Sequence, residues 1–551
     1  MANFARLSAF ICLLATPALA LWPLPTLLET GNTTLTLSQN FTIELVDVEA
    51  PVDLVAAIER TKLHLASDKL QRLVVDRGAS DAESVAVAPQ LSSLKLSLTG
   101  EVTTISEETI KPLEDRVEGY TLQIPDDGGE AVITANTTLG LLRGLTTFEQ
   151  IWYDVNATTY TLEAPFNIVD TPAYPYRGLH LDTSRNYFSV DTIKHHLDTM
   201  SMVKINTFHW HVVDSQSFPL IIPGYEVLAE NGKYDNESIY TPEDVAGIIA
   251  YANERGIDVI AELDTPGHTT IIGNSFPEHI ACPEATPWTT YANQPPAGQL
   301  RIASDDTRNF TKELVKATAN MFNSQYFSPG GDEVNANCYR DDAETQEELE
   351  AQGIDIEEAL DGFMNTIADG LREVNKTTVV WQEMAIAHNV TMPEDTLFFI
   401  WISAADALAV VQKGYRVIHA ASDYFYLDCG MGAWLGDFPG GHSWCDPFKN
   451  WQKAYSFDPK ANMTETEAEL VMGGQSLLWA EQSDEHNLDQ IVWPRAAASA
   501  EVFWSGEGGD AKAATQRLHD VSFRMRKRGV NSIALQPLWC ALRENDCDLN
   551  P

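Results

Sequence analysis

Eight short apolar runs recur after residue 177 of this chain, at 178–182, 207–213, 259–264, 326–332, 378–383, 397–402, 416–420 and 471–479. Helical patterns or long polar connections separate most of them, with helices expected at 191–202, 242–255, 308–320, 356–374 and 404–412. Strand and helix in alternation imply a parallel sheet, and eight repeats imply a closed (β/α)₈ barrel. An open doubly wound sheet is the rival arrangement. It usually carries a glycine-rich phosphate loop, and the sequence has none.

A barrel of this kind presents its functional groups where the strands end. Asp182 and Arg185 follow the first run, Asp214 the second, and Asp264 and His268 the third. Asp332 and Glu333 close the fourth; Trp381 and Glu383 lie in the fifth and Trp401 in the sixth. The seventh leads to Tyr424, Tyr426 and Asp428, and the eighth to Trp479 and Glu481. A lone Trp at such a place is ordinary core. Indoles and carboxylates recurring together at strand ends suit sugars, whose C–H faces stack on aromatic rings while their hydroxyls bond to acids.

Within this set, Gly330-Gly331-Asp332-Glu333 is the sharpest element. Neighbouring residues on a strand point to opposite faces, so adjacent carboxylates converge on one ligand only where the strand ends and turns. Glycine supplies the backbone freedom for that turn. An acidic surface turn is the plain alternative, and the aromatic pair Tyr326-Phe327 just upstream weighs against it.

Pro172 and Pro175 mark the change of rhythm that opens the barrel, giving a second unit over 173–551. The preceding stretch, 21–172, mixes strands expected at 34–46, 91–98, 120–124 and 131–135 with helices at 52–73 and 138–152. This is a smaller α+β domain with a supporting role, and its small, polar segment 76–85 is expected to be a mobile or processed loop. Residues 1–20 read as a secretory signal: Arg6, an apolar run over 7–14, then Ala18-Leu19-Ala20. That run is too short to span a bilayer, and no later stretch reaches the ~20 apolar residues a span needs.

The formal charge of −43 opposes nucleic acid and anionic membranes as partners, since both reward Lys and Arg. Nine Asn-x-Ser/Thr sequons, at Asn32, Asn40, Asn136, Asn156, Asn236, Asn309, Asn375, Asn389 and Asn462, point to a glycosylated secreted protein. Six cysteines remain once Cys12 leaves with the signal. An even number in an oxidising compartment implies three disulfides, and order along the chain favours Cys282–Cys338, Cys429–Cys445 and Cys540–Cys547 among 15 pairings. No close Cys-x-x-Cys pair with paired His supports zinc, and neither a metal nor a cofactor is expected.

In order along the chain, residues 177–185, 206–214, 264–268, 330–333, 381–383, 426–428, 479–481 and 493–496 resemble the motifs of the β-N-acetylhexosaminidases of glycoside hydrolase family 20. The first domain is similar in layout to the small domain that precedes the barrel in that family. Composition and leader look most like secreted fungal members. The resemblance implies exo-acting, retaining release of terminal β-linked GlcNAc or GalNAc from chitooligosaccharides and glycans, assisted by the substrate's own 2-acetamido group. Glu333 would be the general acid and then the base, Asp332 would hold the acetamido N–H, and Tyr426 would donate to the acetamido oxygen. One of the adjacent acids would stay protonated while its neighbour stays charged. Arg177, Glu481 and Asp428 would bind hydroxyls, and Trp381, Trp401 and Trp479 would wall the sugar. Asp214 and His268 would orient the acid. Since members often pair, a homodimer is also implied. Two alternatives stay open: a barrel glycosidase that uses two protein carboxylates, with Glu383 as nucleophile, and a carbohydrate-binding protein without activity. Two departures stand out. Ser328-Pro329 replaces the family's His-x before the glycines, and Thr270-Ile271-Ile272-Gly273 stands where many relatives have Ser-Trp-Gly.

Overall fold

The computed structural model describes residues 20–549, so residues 1–19 of the expected signal lie outside the described residues. The first domain is a six-stranded sheet of β1 (Leu27–Leu45), β2 (Gln90–Leu98), β3 (Tyr120–Ile124), β4 (Glu130–Ala135), β5 (Tyr153–Val155) and β6 (Thr158–Asp170), ordered β1-β2-β4-β3-β6-β5. β1 is long enough to serve two neighbours. It runs antiparallel to β6 over its first half and parallel to β2 over its second, with the register slipping between paired stretches. Helices Val52–Ser67 and Thr138–Gln150 bring Leu54, Ile58, Leu141, Leu145 and Phe148 into one core with Leu94, Leu96, Leu122 and Ile133 of the sheet. The second helix starts where Thr137 accepts the N–H of Gly140, a local stop for the chain entering from β4.

The segment 76–85 departs from expectation. It forms a short 3₁₀ turn, Ala79–Asp81, and a helix, Ala82–Val87. Asp81 pairs with Arg72 at 2.9 Å and accepts from the Tyr160 hydroxyl, while Val85 is buried against Tyr160. Its small polar residues are therefore held by one charged pair and one aromatic, a contact between distant parts of the chain that composition does not reveal.

The barrel contains β7 (Tyr176–Asp182), β8 (Thr207–Val213) and β9 (Asp258–Thr265), then, after a ribbon of β10 (Ile280–Ala281) and β11 (Gln299–Leu300), β12 (Tyr326–Gly330), β13 (Thr377–Trp381), β14 (Leu397–Ile400), β15 (Arg416–His419) and β16 (Val471–Leu478). β16 pairs with β7 and closes the ring, and every barrel ladder is parallel. All eight expected runs are strands. The last residues of several expected runs instead leave the sheet and become the rim, as with Asp332, Glu383, Ile402 and Trp479.

Alternation along the strands divides the barrel into two environments. Leu179, Leu181, Phe208, Trp210, Val259 and Leu263 belong to the large apolar core. The alternate positions His180, His209, His211 and Glu262 are polar and fully buried. Register sets them side by side: His180 pairs with His209, His211 with Glu262, and Glu262 with Ser328. The floor beneath the rim is thus a closed polar layer.

A buried charged seam joins the two domains. Glu118 receives Arg143 at 2.7 Å and Arg177 at 2.6 Å, and Asp170 accepts from Lys204, Tyr120 and Trp504. Near the start of the described chain, Trp22 is buried and donates its indole N–H to the Ala497 carbonyl. The structure pairs Cys282 with Cys338, Cys429 with Cys445 and Cys540 with Cys547, with Cα–Cα distances of 5.8, 5.4 and 5.7 Å. All nine sequon asparagines are exposed. No helix among the described residues is long and apolar enough to cross a membrane.

Candidate active site

A pocket opens at the carboxyl ends of the barrel strands. Asp332, Glu333, Tyr426, Trp381, Trp401, Asp428, Trp479, Glu481 and His268 all line it, together with Arg185, Gln294 and Trp444. β12 ends at Gly330, and the chain turns through Gly330 (φ +77°), Gly331 (φ +104°) and then Glu333, itself at φ +52°. A Cβ on Gly330 would fall 1.7 Å from an oxygen of Asp264, so no other residue fits there without displacing that acid. The turn lets two consecutive carboxylates face one space. His268 is likewise left-handed (φ +57°) and reaches both of them.

A chain of charges supports the pair. Glu262 accepts from Ser328 (2.6 Å) and lies 2.6 Å from His211 Nδ1; His211 Nε2 lies 2.9 Å from Asp214 Oδ2. Asp214 Oδ1 is 3.1 Å from His268 Nδ1, and His268 Nε2 is 3.2 Å from Glu333 Oε2 and 3.7 Å from Asp332 Oδ2. Arg185 lies 2.9 Å from Asp214 and 3.2 Å from Asp182, and sits over the ring of Trp479. Burial disfavours a charged His211, but Asp214 and Glu262 more than offset this and lift it to about 9. Burial also opposes the His268 cation, and Asp214 and Asp264 overcome it, raising the group well above the ordinary histidine value.

The resting charge pattern of the acid pair is the reverse of the simplest expectation. Burial pushes Glu333 up, yet the His268 contact, with Asn293 and Arg185, brings it below the ordinary glutamate value. For Asp332, burial together with Glu333 outweighs the pull of His268 and lifts the acid to about 6. The two shifts favour a proton on His268 over one on Glu333. The groups lie 3.2 Å apart in a contact that is not aligned as a hydrogen bond.

On the opposite wall, burial and the nearby Glu481 raise Asp428 to about 8, and burial raises Glu481. An uncharged Asp428 carboxyl can both donate to and accept from a hydroxyl. Tyr426 is buried and its pKa rises well above the ordinary value, so its hydroxyl stays a donor.

Arg177 requires a correction. It is the second residue of β7, at the opposite end of the barrel, where Glu118, the Tyr174 carbonyl and the Lys204 carbonyl take its guanidinium. The arginine of the pocket is Arg185. Both follow from the same stretch of sequence, and eight residues of rise separate a strand's start from its rim. Arg177→Ala is accordingly expected to cost about 3–5 kcal/mol of stability in denaturant unfolding, by leaving a buried charge short of a partner, with turnover per folded molecule retained. Arg185→Ala is expected to lower turnover as well as stability, since Arg185 lines the pocket and its loss leaves the buried Asp182 and Asp214 short of a cation.

Ser328, the departure before the glycines, has a specific place. It does not touch Asp332 or Glu333; it is fully buried one layer below them, on Glu262. Its influence on the pair runs through His211, Asp214 and His268. Glu383, the alternative nucleophile, does not line the cavity, and its carboxyl accepts the indole N–H of Trp401 at 2.9 Å. His180, His211 and Glu262 lie close enough to share a cation, as do Asp264, His268 and Asp332. In the first set His211 already spends both nitrogens on Glu262 and Asp214; in the second, His268 is held between Asp214 and Glu333. Among the residues sequence reasoning missed, His211 and Glu262 had a readable signal: polar residues two apart from other polar residues within apolar strands. Trp444 had none. It is 64% exposed, on a loop closed by Cys429–Cys445, and packs edge-on to Trp401 at 5.5 Å.

Residues 174–507 match the family described as glycosyl hydrolase family 20, catalytic domain, and residues 21–151 match a beta-acetyl hexosaminidase like domain. The chain belongs to glycosyl hydrolase family 20. A beta-hexosaminidase of Arthroderma benhamiae is 32% identical over 463 residues, covering 78% of this chain and 74% of the relative. A chitooligosaccharidolytic beta-N-acetylglucosaminidase of Bombyx mori is 31% identical over 548 residues, covering 96% and 89%. A solved exo beta-N-acetylglucosaminidase of Vibrio harveyi superposes with a TM-score of 0.74 at 23% identity, covering 94% of this chain and 79% of that one, and so shares the fold. The family 20 match spans the barrel that carries the pocket.

Proposed function

We propose that this chain is an exo-acting β-N-acetylhexosaminidase that releases terminal non-reducing β-linked GlcNAc or GalNAc from chitooligosaccharides and glycans with retention of configuration. The observation that carries this reading is the convergence of Asp332, Glu333 and Tyr426 on a cavity walled by Trp381, Trp401 and Trp479, above a filled barrel.

The residues divide the work as follows. Asp332 accepts the acetamido N–H and Tyr426 donates to its carbonyl oxygen, which turns that oxygen towards the anomeric carbon. As the oxygen attacks, the glycosidic bond breaks and Glu333 gives its proton to the departing oxygen, with His268 and Asp214 supplying and steadying that proton. Water then opens the oxazolinium ring while Glu333 takes the proton back. Two inversions give net retention. Arg185, Asp428 and Glu481 hold the sugar hydroxyls.

Hydrolysis of nitrophenyl β-GlcNAc, β-GalNAc and β-glucoside side by side tests the proposal. The first two are expected to be cleaved and the third left nearly untouched, and a thiazoline mimic of the cyclised acetamido group is expected to inhibit. Comparable cleavage of the glucoside would sink the substrate-assisted reading. Beyond the pocket, a wider cleft continues past Trp401 to Trp434, His442 and Trp444. Trp444→Ala is expected to lower kcat/KM on chitotriose several-fold more than on nitrophenyl GlcNAc, about the worth of one stacked ring.

Secretion and glycosylation belong to the same proposal. Cleavage after Ala20 would leave Leu21-Trp22 at the start of the mature chain, and both are buried. N-terminal sequencing of the secreted protein should read Leu21, and glycosidase treatment should lower its apparent mass. Pairing of two copies is read by light scattering.

A further inference from the structure

The residues that follow β13 form a two-residue grip on the pocket wall. Gln382 accepts the backbone N–H of Trp401 (2.7 Å) and of Ile402 (3.0 Å) with one oxygen, and donates to Asp406 at 2.7 Å. The next residue, Glu383, accepts the side-chain N–H of the same Trp401 at 2.9 Å. Backbone and indole of Trp401 are thus fixed by two consecutive residues just past the end of β13. The indole so held lies nearly parallel to Tyr426, at 18° with centroids 6.3 Å apart, and edge-on to Trp444. It lines both the inner cavity and the outer cleft.

Glu383 is an unusual residue to find there. It is 7% exposed and makes no ion pair with any described residue. Its charged neighbours are Asp332 and Glu333, both of its own sign, and Tyr426 faces the same space. A buried acid without a cation is costly when ionised. Burial and Asp332 push it up to about 8, so it is uncharged where the enzyme's acid pair is set to work. Neither nucleophilic attack nor ion pairing accounts for its presence. Its one well-formed side-chain contact does.

We propose that Glu383 is a positioning residue: its carboxyl holds the Trp401 indole in the plane that, with Tyr426, forms the wall against which the 2-acetamido group closes. This rests on the proposed function above. The contact needs an acceptor oxygen at this reach. Glutamine offers the same reach and the same carbonyl oxygen, aspartate falls one methylene short, and alanine leaves a partly buried indole N–H without its partner.

The variants Glu383→Gln, Glu383→Asp and Glu383→Ala separate holding from chemistry. On nitrophenyl GlcNAc, Glu383→Gln is expected to stay within about threefold of the parent kcat/KM, while Glu383→Ala and Glu383→Asp fall about tenfold or more. Affinity for the thiazoline mimic should fall in step with the alanine variant's kcat/KM. Trp401→Phe keeps a ring and lacks the N–H, so adding Glu383→Ala to it is expected to cost less than about threefold further. The ring itself is read without substrate in protein labelled with 5-fluorotryptophan, where the Trp401 fluorine resonance is assigned by its loss in Trp401→Phe. That resonance should move in Glu383→Ala and hold in Glu383→Gln. If it holds in Glu383→Ala, or if glutamine costs as much activity as alanine, the proposal is overturned. If the parent protein neither cleaves GlcNAc nor binds the thiazoline, the functional reading fails instead, and the fluorine spectra still decide whether Glu383 places Trp401.

Discussion

Glu333→Gln is expected to lower turnover on chitobiose by about 10²–10⁴-fold, the usual contribution of a positioned acid and base. The substitution preserves shape at a left-handed residue (φ +52°) that is packed beside His268, so the midpoint of thermal unfolding should move little. In the proposed mechanism it removes the oxygen that receives the His268 proton and passes it on. A nitrophenyl leaving group departs with little protonation, so its first step should suffer less than that of chitobiose, and the gap between the two substrates measures the acid role alone. The base role remains in the second step for both. Near-normal turnover of chitobiose by the glutamine protein would remove Glu333 from the mechanism.

How far the sequence reaches is clearest at particular residues. The eight strands were legible because each is a short apolar run, and a parallel barrel buries both faces of its strands. The rim followed from the same pattern, since Asp332, Tyr426 and Trp479 stand where the runs stop. Arg177 misled because a motif fixes order along the chain and not height along the barrel axis; only the path of β7 shows that Arg177 starts the strand and Arg185 lies beyond its end. The relay from Ser328 through Glu262, His211 and Asp214 to His268 crosses strands that are far apart in sequence, and register alone sets it together. The segment 76–85 was misjudged for a related reason: Arg72 and Tyr160 hold it from outside. Trp444 lies on a loop with neither period nor motif, and its place against Trp401 depends on the disulfide-closed loop that carries it.

Asp332→Asn carries the second large effect, and its pH dependence is the more telling part. To hold the acetamido N–H and steady the positive charge of the closing ring, Asp332 must be ionised. Burial and the adjacent Glu333 hold it at about 6, above an ordinary aspartate, against the pull of His268. Below that pH the group is neutral in the free enzyme and the nascent ring loses its counter-charge. The parent kcat/KM is therefore expected to rise through an acid limb near pH 6, level off, and fall again when the proton shared by His268 and Glu333 is lost. Asparagine keeps an oxygen for the acetamido N–H and supplies no charge at any pH. Removing one such stabilising group typically costs about 10²–10³-fold in turnover. The asparagine protein should be slower by that amount on the plateau and should lose the limb near pH 6, since nothing at position 332 is left to titrate, while its alkaline limb stays. A parent profile flat through pH 6, or an asparagine protein that keeps the same limb, would assign the limb to another acid, and the neighbouring buried Asp264 would be the next to test.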